Sequence, residues 1–110
     1  MNEEKKGYII IFVTASSVEE GQKIGRTLVE ERLVACINIV SPIQSIFQWQ
    51  GRVSDEREAL LIAKTKSALF NDIVVRVKKL HSYKVPEIIA VPIVEGSQDY
   101  LNWISAETLK

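Results

Sequence analysis

The sequence predicts one α+β domain with elements in the order β, α, β, β, α, β and a last helix, and three observations lead there. Strand-like apolar runs alternate with helix-like apolar faces. Thr14 to Cys36 spans as many residues as Thr65 to Glu87, so two βαβ units of equal length stand in tandem, and Gly51 turns the chain between them. Parallel crossovers are right-handed, so two such units joined by a hairpin give a split βαβ arrangement: one antiparallel sheet with both helices on one face, a ferredoxin-like sandwich.

Tyr8 to Ala15 is a continuous apolar, β-branched run, which suits a strand buried on both faces at the centre of the sheet. Ser16 with Glu19, and equally Ser17 with Glu20, matches a capping box that opens a helix. Its apolar face is Val18, Ile24, Leu28, Val29 and Leu33, with Gly21 and Gly25 between them. Glycine weakens a helix, so close packing on the sheet is the expected reason for both. Val34 to Val40 is the next strand, Ser41-Pro42 marks a bend or bulge, and Ile43, Ser45, Phe47 and Trp49 alternate onward. The returning arm, Val53 to Thr65, begins charged and ends as core. Ser67 is expected to cap a second helix with the face Leu69, Phe70, Ile73, Val74, Val77 and Leu80. Ile88 to Val94 is the last core strand. Gly96-Ser97 leads into a short helix, with Tyr100 and Trp103 expected as its docking seam. The two hairpin arms exceed the roughly 5 to 6 residues an ordinary sheet needs, so the ribbon projects and its unpaired edges invite another chain. Self-association is expected from that excess alone.

At 110 residues, 1–110 is expected to form a single domain. Apolar residues at 46% and charged residues at 25% place it among chains that fold in water. Lys plus Arg equals 14 and Asp plus Glu equals 14, so no net field exists to hold nucleic acid or an anionic membrane. No run is long enough to span a bilayer, and the charged start, with Glu3, Glu4, Lys5 and Lys6, does not resemble a signal peptide. A single cysteine, Cys36, agrees with a reducing, cytoplasmic setting.

The catalytic vocabulary is small: no phosphate loop, paired Cys-x-x-Cys or nucleophile elbow occurs. Cys36 reads either as a small core hydrophobe, the commoner role, or as a soft thiolate ligand for copper if a symmetric oligomer supplies partners. His81 reads as an imidazolium at the negative end of a helix, or as part of His81-Ser-Tyr83-Lys-Val-Pro86-Glu87, where imidazole, phenol and carboxylate share one connection. Trp49 at the hairpin tip suits an interface anchor or packing on its own ribbon. Glu56 and Glu58 share a strand face with Lys64, a pattern more often solvated than ligating.

Leu28-Val-Glu-x-x-Leu33-Val-Ala-Cys36-Ile-Asn38, Trp49-x-Gly51, Lys64-Thr65, His81-x-Tyr83-x-x-Pro86-Glu87-Ile88 and Tyr100-Leu-x-Trp103 occur in the order of the CutA family, the divalent-cation tolerance proteins, which the chain resembles over nearly its whole length. The resemblance implies a homotrimer similar in architecture to PII signalling proteins, cytoplasmic residence, a role in tolerance of copper and other divalent cations, and no established reaction. It carries the suspected metal thiol to Cys36 and the pocket motif to Trp49, Glu56, Lys64, His81, Tyr83 and Glu87. Some bacterial relatives have further cysteines where this chain has Val13 and Arg76, so a multi-thiolate site within one subunit is not expected; the metal ligands the resemblance implies are Cys36, His81 and Glu87. Two functions follow: a trimeric metal-binding protein, or a PII-like small-molecule sensor or scaffold with clefts between subunits. An enzyme using Cys36 with His81 as base is the least favoured, since a mid-strand cysteine lacks exposure.

Overall fold

The first apolar run does sit at the centre of the sheet. In the computed structural model, which describes residues 7–109, β1 (Tyr8–Ala15) pairs on one side with β3 (Arg52–Lys66) and on the other with β4 (Ile88–Pro92). β2 (Cys36–Trp49) lies outside β3, giving the order β2-β3-β1-β4 with every pair antiparallel. This is the ferredoxin-like arrangement of two βαβ units. The charged start before Gly7, on which the reading of the leader rests, lies outside the described residues.

One face of the sheet carries the core. Ile9, Ile11, Val13 and Ala15 on β1 and Ala59, Leu61, Ala63 and Thr65 on β3 are buried beneath α1 (Val18–Glu30) and α2 (Phe70–Leu80), which contribute Ile24, Leu28, Ile73 and Val77. A Cβ at Gly21 would lie 2.9 Å from Leu61 Cδ2, and one at Gly25 would lie 2.8 Å from Ile37 Cγ2. Both glycines let α1 approach the sheet more closely than a side chain permits. Val29, by contrast, is exposed and off the packed face.

Burial of β1 on both faces does not occur within the chain. The alternate residues Ile10 and Phe12, which face Lys64 and Ile62 on β3, are only half-buried, and their β4 partners Val91 and Ile89 are 42% and 54% exposed. Both helices of the βαβ units are on the other side, and the last helix, Gln98–Glu107, reaches this face where Tyr100 stands beside Cys36, so the apolar face is covered only in part.

Several junctions refine the expected elements. Ser17 caps α1 by accepting from the Glu20 N–H, while the Glu20 carboxylate reaches back to the N–H and hydroxyl of Ser16, one residue earlier than in the usual box. Ser67 does not cap α2: it begins a 3-10 turn, Ser67–Leu69, and α2 starts at Phe70 without a side-chain cap. β4 stops at Pro92 rather than Val94, because β1 begins at Tyr8 and Ile93 makes the last bond, to the Tyr8 carbonyl. α3 (Gln98–Glu107) docks through Ile104, fully buried, and is tied to Arg32 by the Ala106 carbonyl and the Leu109 N–H. Tyr100 and Trp103, expected as that seam, are 42% and 41% exposed.

In the hairpin, Gln50 and Gly51 both have positive φ, 52° and 80°, as a two-residue turn matched to strand twist requires. A bulge lies between Val40 and Ile43, so that Val40 faces Leu60 and Ile43 faces Glu58. The extra residue changes which parity of β2 occupies each face. Before it, Cys36, Asn38 and Val40 lie on the partly covered side; after it, Ile43, Ser45, Phe47 and Trp49 do.

Candidate functional site

The segment from His81 to Glu87 is held against three other elements by side-chain hydrogen bonds. His81 ends α2, and its ring, wholly buried, turns away from the helix carbonyls. Nδ1 accepts the Tyr83 N–H at 3.0 Å, so the proton sits on Nε2, which donates to the Thr14 carbonyl at the end of β1 at 2.7 Å. The imidazole therefore works as a neutral connector, not as a charge at a helix end. Tyr83 lies over it with ring centres 4.8 Å apart and donates its hydroxyl to Glu58 Oε2 on β3 at 2.7 Å. Burial, and then the bond to Glu58 with the charges of Glu58, Glu20 and Glu56, pushes the phenol well above the usual tyrosine range. It remains a donor.

Glu20 completes the attachment from α1 by accepting the Ser82 N–H at 2.7 Å. Burial works against its charge, but the hydrogen bonds from Ser16 and Ser82 outweigh it and hold the carboxyl down at about 2. Neither Glu20 nor Thr14 was singled out from the sequence, although the capping-box pattern marked Glu20 as a local bond former.

A cleft of about 810 Å³ opens between this segment and the outer half of the hairpin. Phe47 and Trp49 form one wall from β2, Glu56 and Glu58 come from β3, and Tyr83, Lys84 and Glu87 close the other side. Trp49 is 52% exposed, whereas Glu58 is only 6% exposed, contrary to the solvated face expected for that strand. Of the seven residues singled out, Trp49, Glu56, Tyr83 and Glu87 thus meet at one cleft. His81 underlies it without lining it.

Cys36 and Lys64 belong elsewhere. They are cross-strand partners on the partly covered sheet face, and both the Lys64 ammonium and the thiol, Sγ at 3.9 Å, approach Asn38 Oδ1. Cys36 is half-buried rather than core, with the Tyr100 hydroxyl beside it; burial, with the thiol adding to it, raises that phenol. The Cys36–Lys64–Ile10 row lies four residues from the Thr14–Leu60 row, which is about 13 Å along the strands. Thiol and imidazole accordingly form no nucleophile–base pair in one chain. Cys36, His81 and Glu87 also do not form a metal centre there: both imidazole nitrogens are engaged, and among the described residues no group of three His, Cys, Asp or Glu is placed to hold an ion. Val13 is core, and Arg76 makes a two-pronged pair with Glu31 at 2.8 and 2.9 Å.

Among the described residues no helix is long and apolar enough to cross a membrane. A family model described as CutA1 divalent ion tolerance protein matches residues 9–107. The chain is similar to the divalent-cation tolerance protein CutA of Thermus thermophilus, 46% identical over 99 residues that cover 90% of this chain and 96% of that protein. A solved structure of the T. thermophilus protein superposes with a TM-score of 0.90, and that of CutA1 from Oryza sativa with 0.93 at 37% identity, covering 98% of this chain and 99% of that one. The chloroplastic CutA protein of Arabidopsis thaliana is 42% identical over 91% of this chain, which spans only 55% of that relative's length. A structure from Archaeoglobus fulgidus, 40% identical, is described as a periplasmic protein, so the compartment differs among these relatives.

Proposed function

This chain belongs to the CutA family of divalent-cation tolerance proteins, and from that premise we propose that it acts without catalysis in tolerance of divalent metals, copper included, as a homotrimer in the cytoplasm. The observation that carries the assembly is the partly covered apolar face built from Ile10, Phe12, Ile62, Ile89 and Val91. Water contact on such a face is unfavourable, and closed symmetric assembly removes it. Cys36 lies on that same face, half-buried. One thiol per subunit on an assembling surface lets an oligomer gather soft ligands that a single chain lacks. Native mass spectrometry with Cu(I), Cu(II) and Zn(II) tests both parts together. A trimer mass with Cu(I) uptake lost in Cys36→Ser supports the proposal; a stable monomer, or uptake indifferent to Cys36, overturns it.

The cleft favours a second reading, a PII-like sensor whose ligand sits between the outer half of the hairpin and the 81–87 segment. Tyr83, Glu58 and Trp49 surround a volume of small-molecule size without forming a catalytic acid–base pair. Within one chain Lys64 and His81 do not contribute to its lining.

A further inference from the structure

The carboxylates of the cleft lack cations. Glu56, Glu58 and Glu87 make no ion pair with any described Lys, Arg or His, and only Lys84 among the lining residues carries positive charge. Glu58 is the informative one. It is more than nine-tenths buried, its Oε2 is taken by the Tyr83 hydroxyl, and Oε1 has no protein partner. No described side-chain oxygen is both sealed from solvent and unbonded, so Oε1 meets the cleft. The carboxylate is thus fixed by Tyr83 through one oxygen and presents the other to the cleft, where a ligand N–H can replace water as its donor.

The rest of the lining narrows the donor. An anion is disfavoured by three carboxylates against one ammonium. A chelated metal ion is disfavoured because the acidic groups do not converge as a ligand set. Phe47 and Trp49 stand two residues apart on one face of β2, 39% and 52% exposed, and offer π-faces and apolar surface beside the charges. Aromatic walls next to dispersed carboxylates suit an extended organic cation.

We propose that the cleft binds a primary organic ammonium with an apolar stem, its N–H groups donating to Glu58 and its stem lying along Phe47 and Trp49. This rests on the sensor reading and gives it a ligand class. Glu56 and Glu87 hold a second positive group if the stem carries one, so a diamine binds more tightly than a monoamine.

Trp49 and Trp103 are the two tryptophans, so Trp103→Phe makes emission a report on the cleft. Titration of that variant with 1,4-diaminobutane at low salt is expected to change the Trp49 emission saturably, n-butylamine more weakly, and sodium chloride of matched ionic strength not at all. Glu58→Gln, which keeps an acceptor for Tyr83, is expected to weaken diamine binding about tenfold or more, as loss of a charge-assisted bond does. Glu56→Gln, at an exposed position, weakens it less and guards against a folding defect in the first variant. Diamine binding unchanged by both substitutions overturns the proposal. Saturable response to succinate or a nucleotide in place of the amine overturns the ligand class and leaves the sensor reading intact. Competition of Zn(II) with the amine for Trp49 also overturns the class and assigns the cleft to metal. No response to any probe overturns class and sensor reading alike.

Discussion

Glu20 links the start of α1 to the 81–87 segment, and its removal has a calculable cost. A carboxyl that ionises at 4.5 when free and at about 2 in the fold stabilises the folded state by about 3 kcal/mol at neutral pH. The folded value is the lower one, so this stability is present in full above 4.5 and is lost as pH falls through about 2. At pH 3 roughly half remains, about 1.4 kcal/mol. Glu20→Gln retains size and one acceptor but loses the charge that the three bonds from Ser16 and Ser82 favour. Urea unfolding of both proteins at matched concentration, from pH 7 down to pH 3, reads the difference directly. The gap is expected at up to about 3 kcal/mol at pH 7 and to narrow by half at pH 3. A gap that stays constant across this range refutes the reasoning, because it ties the loss to shape and not to ionisation.

Gly21→Ala sets a helix-propensity gain of about 0.8 kcal/mol against a contact at 2.9 Å with the fully buried Leu61. Net destabilisation of about 1 kcal/mol, a melting temperature lower by several degrees, is expected; a stabilised variant means α1 has room to lift. Thr65→Val removes the buried hydroxyl that donates to the Leu33 carbonyl at 2.6 Å, and denaturant unfolding is expected to show a loss of about 1–2 kcal/mol. Trp49→Ala is expected to lower thermal stability more at low protein concentration than at high, as an interface anchor does; a loss independent of concentration returns Trp49 to its own ribbon.

Much of the fold is legible because each element carries its own periodicity. Pro42 betrays the bulge, since proline within a sheet is confined to edge strands and bulges and β2 is an edge strand, and Gly51 betrays the turn. The exposure of one sheet face is not legible: the run from Tyr8 to Ala15 is apolar on both sides, and such a strand reads the same whether or not a helix of the chain covers both of them. Ile104 against Tyr100 and Trp103 is a similar case, because size and aromaticity do not say which side of a short helix faces inward. At the cleft, Trp49, Tyr83 and Glu87 were visible through their setting in a turn and a connection. Glu58 was hidden because its alternation with Glu56 looks like a solvated strand, and only the docking of Tyr83 buries it. The imidazole of His81 fits a helix end in one dimension; its real partner, the Thr14 carbonyl, lies 67 positions away in sequence. Lys64 shares a face with Glu58 but sits six residues further along β3, too far to share a cleft.

The bulge at Ser41-Pro42 makes the outer hairpin intolerant of changes in length. Ser45, Phe47 and Trp49 reach the cleft only because two residues of β2 oppose one of β3 at that point. Loss of a single codon there would restore a regular ladder and swap the two sides of every residue from Ile43 to the tip, presenting Gln44, Ile46 and Gln48 where the aromatic wall now stands. Point substitutions along the ribbon change one side chain each, but a one-residue deletion at its root rewrites the whole lining. Length variants arising in this chain are therefore expected to be accommodated beyond Trp49 at the turn, in pairs, and not between Val40 and Ile43.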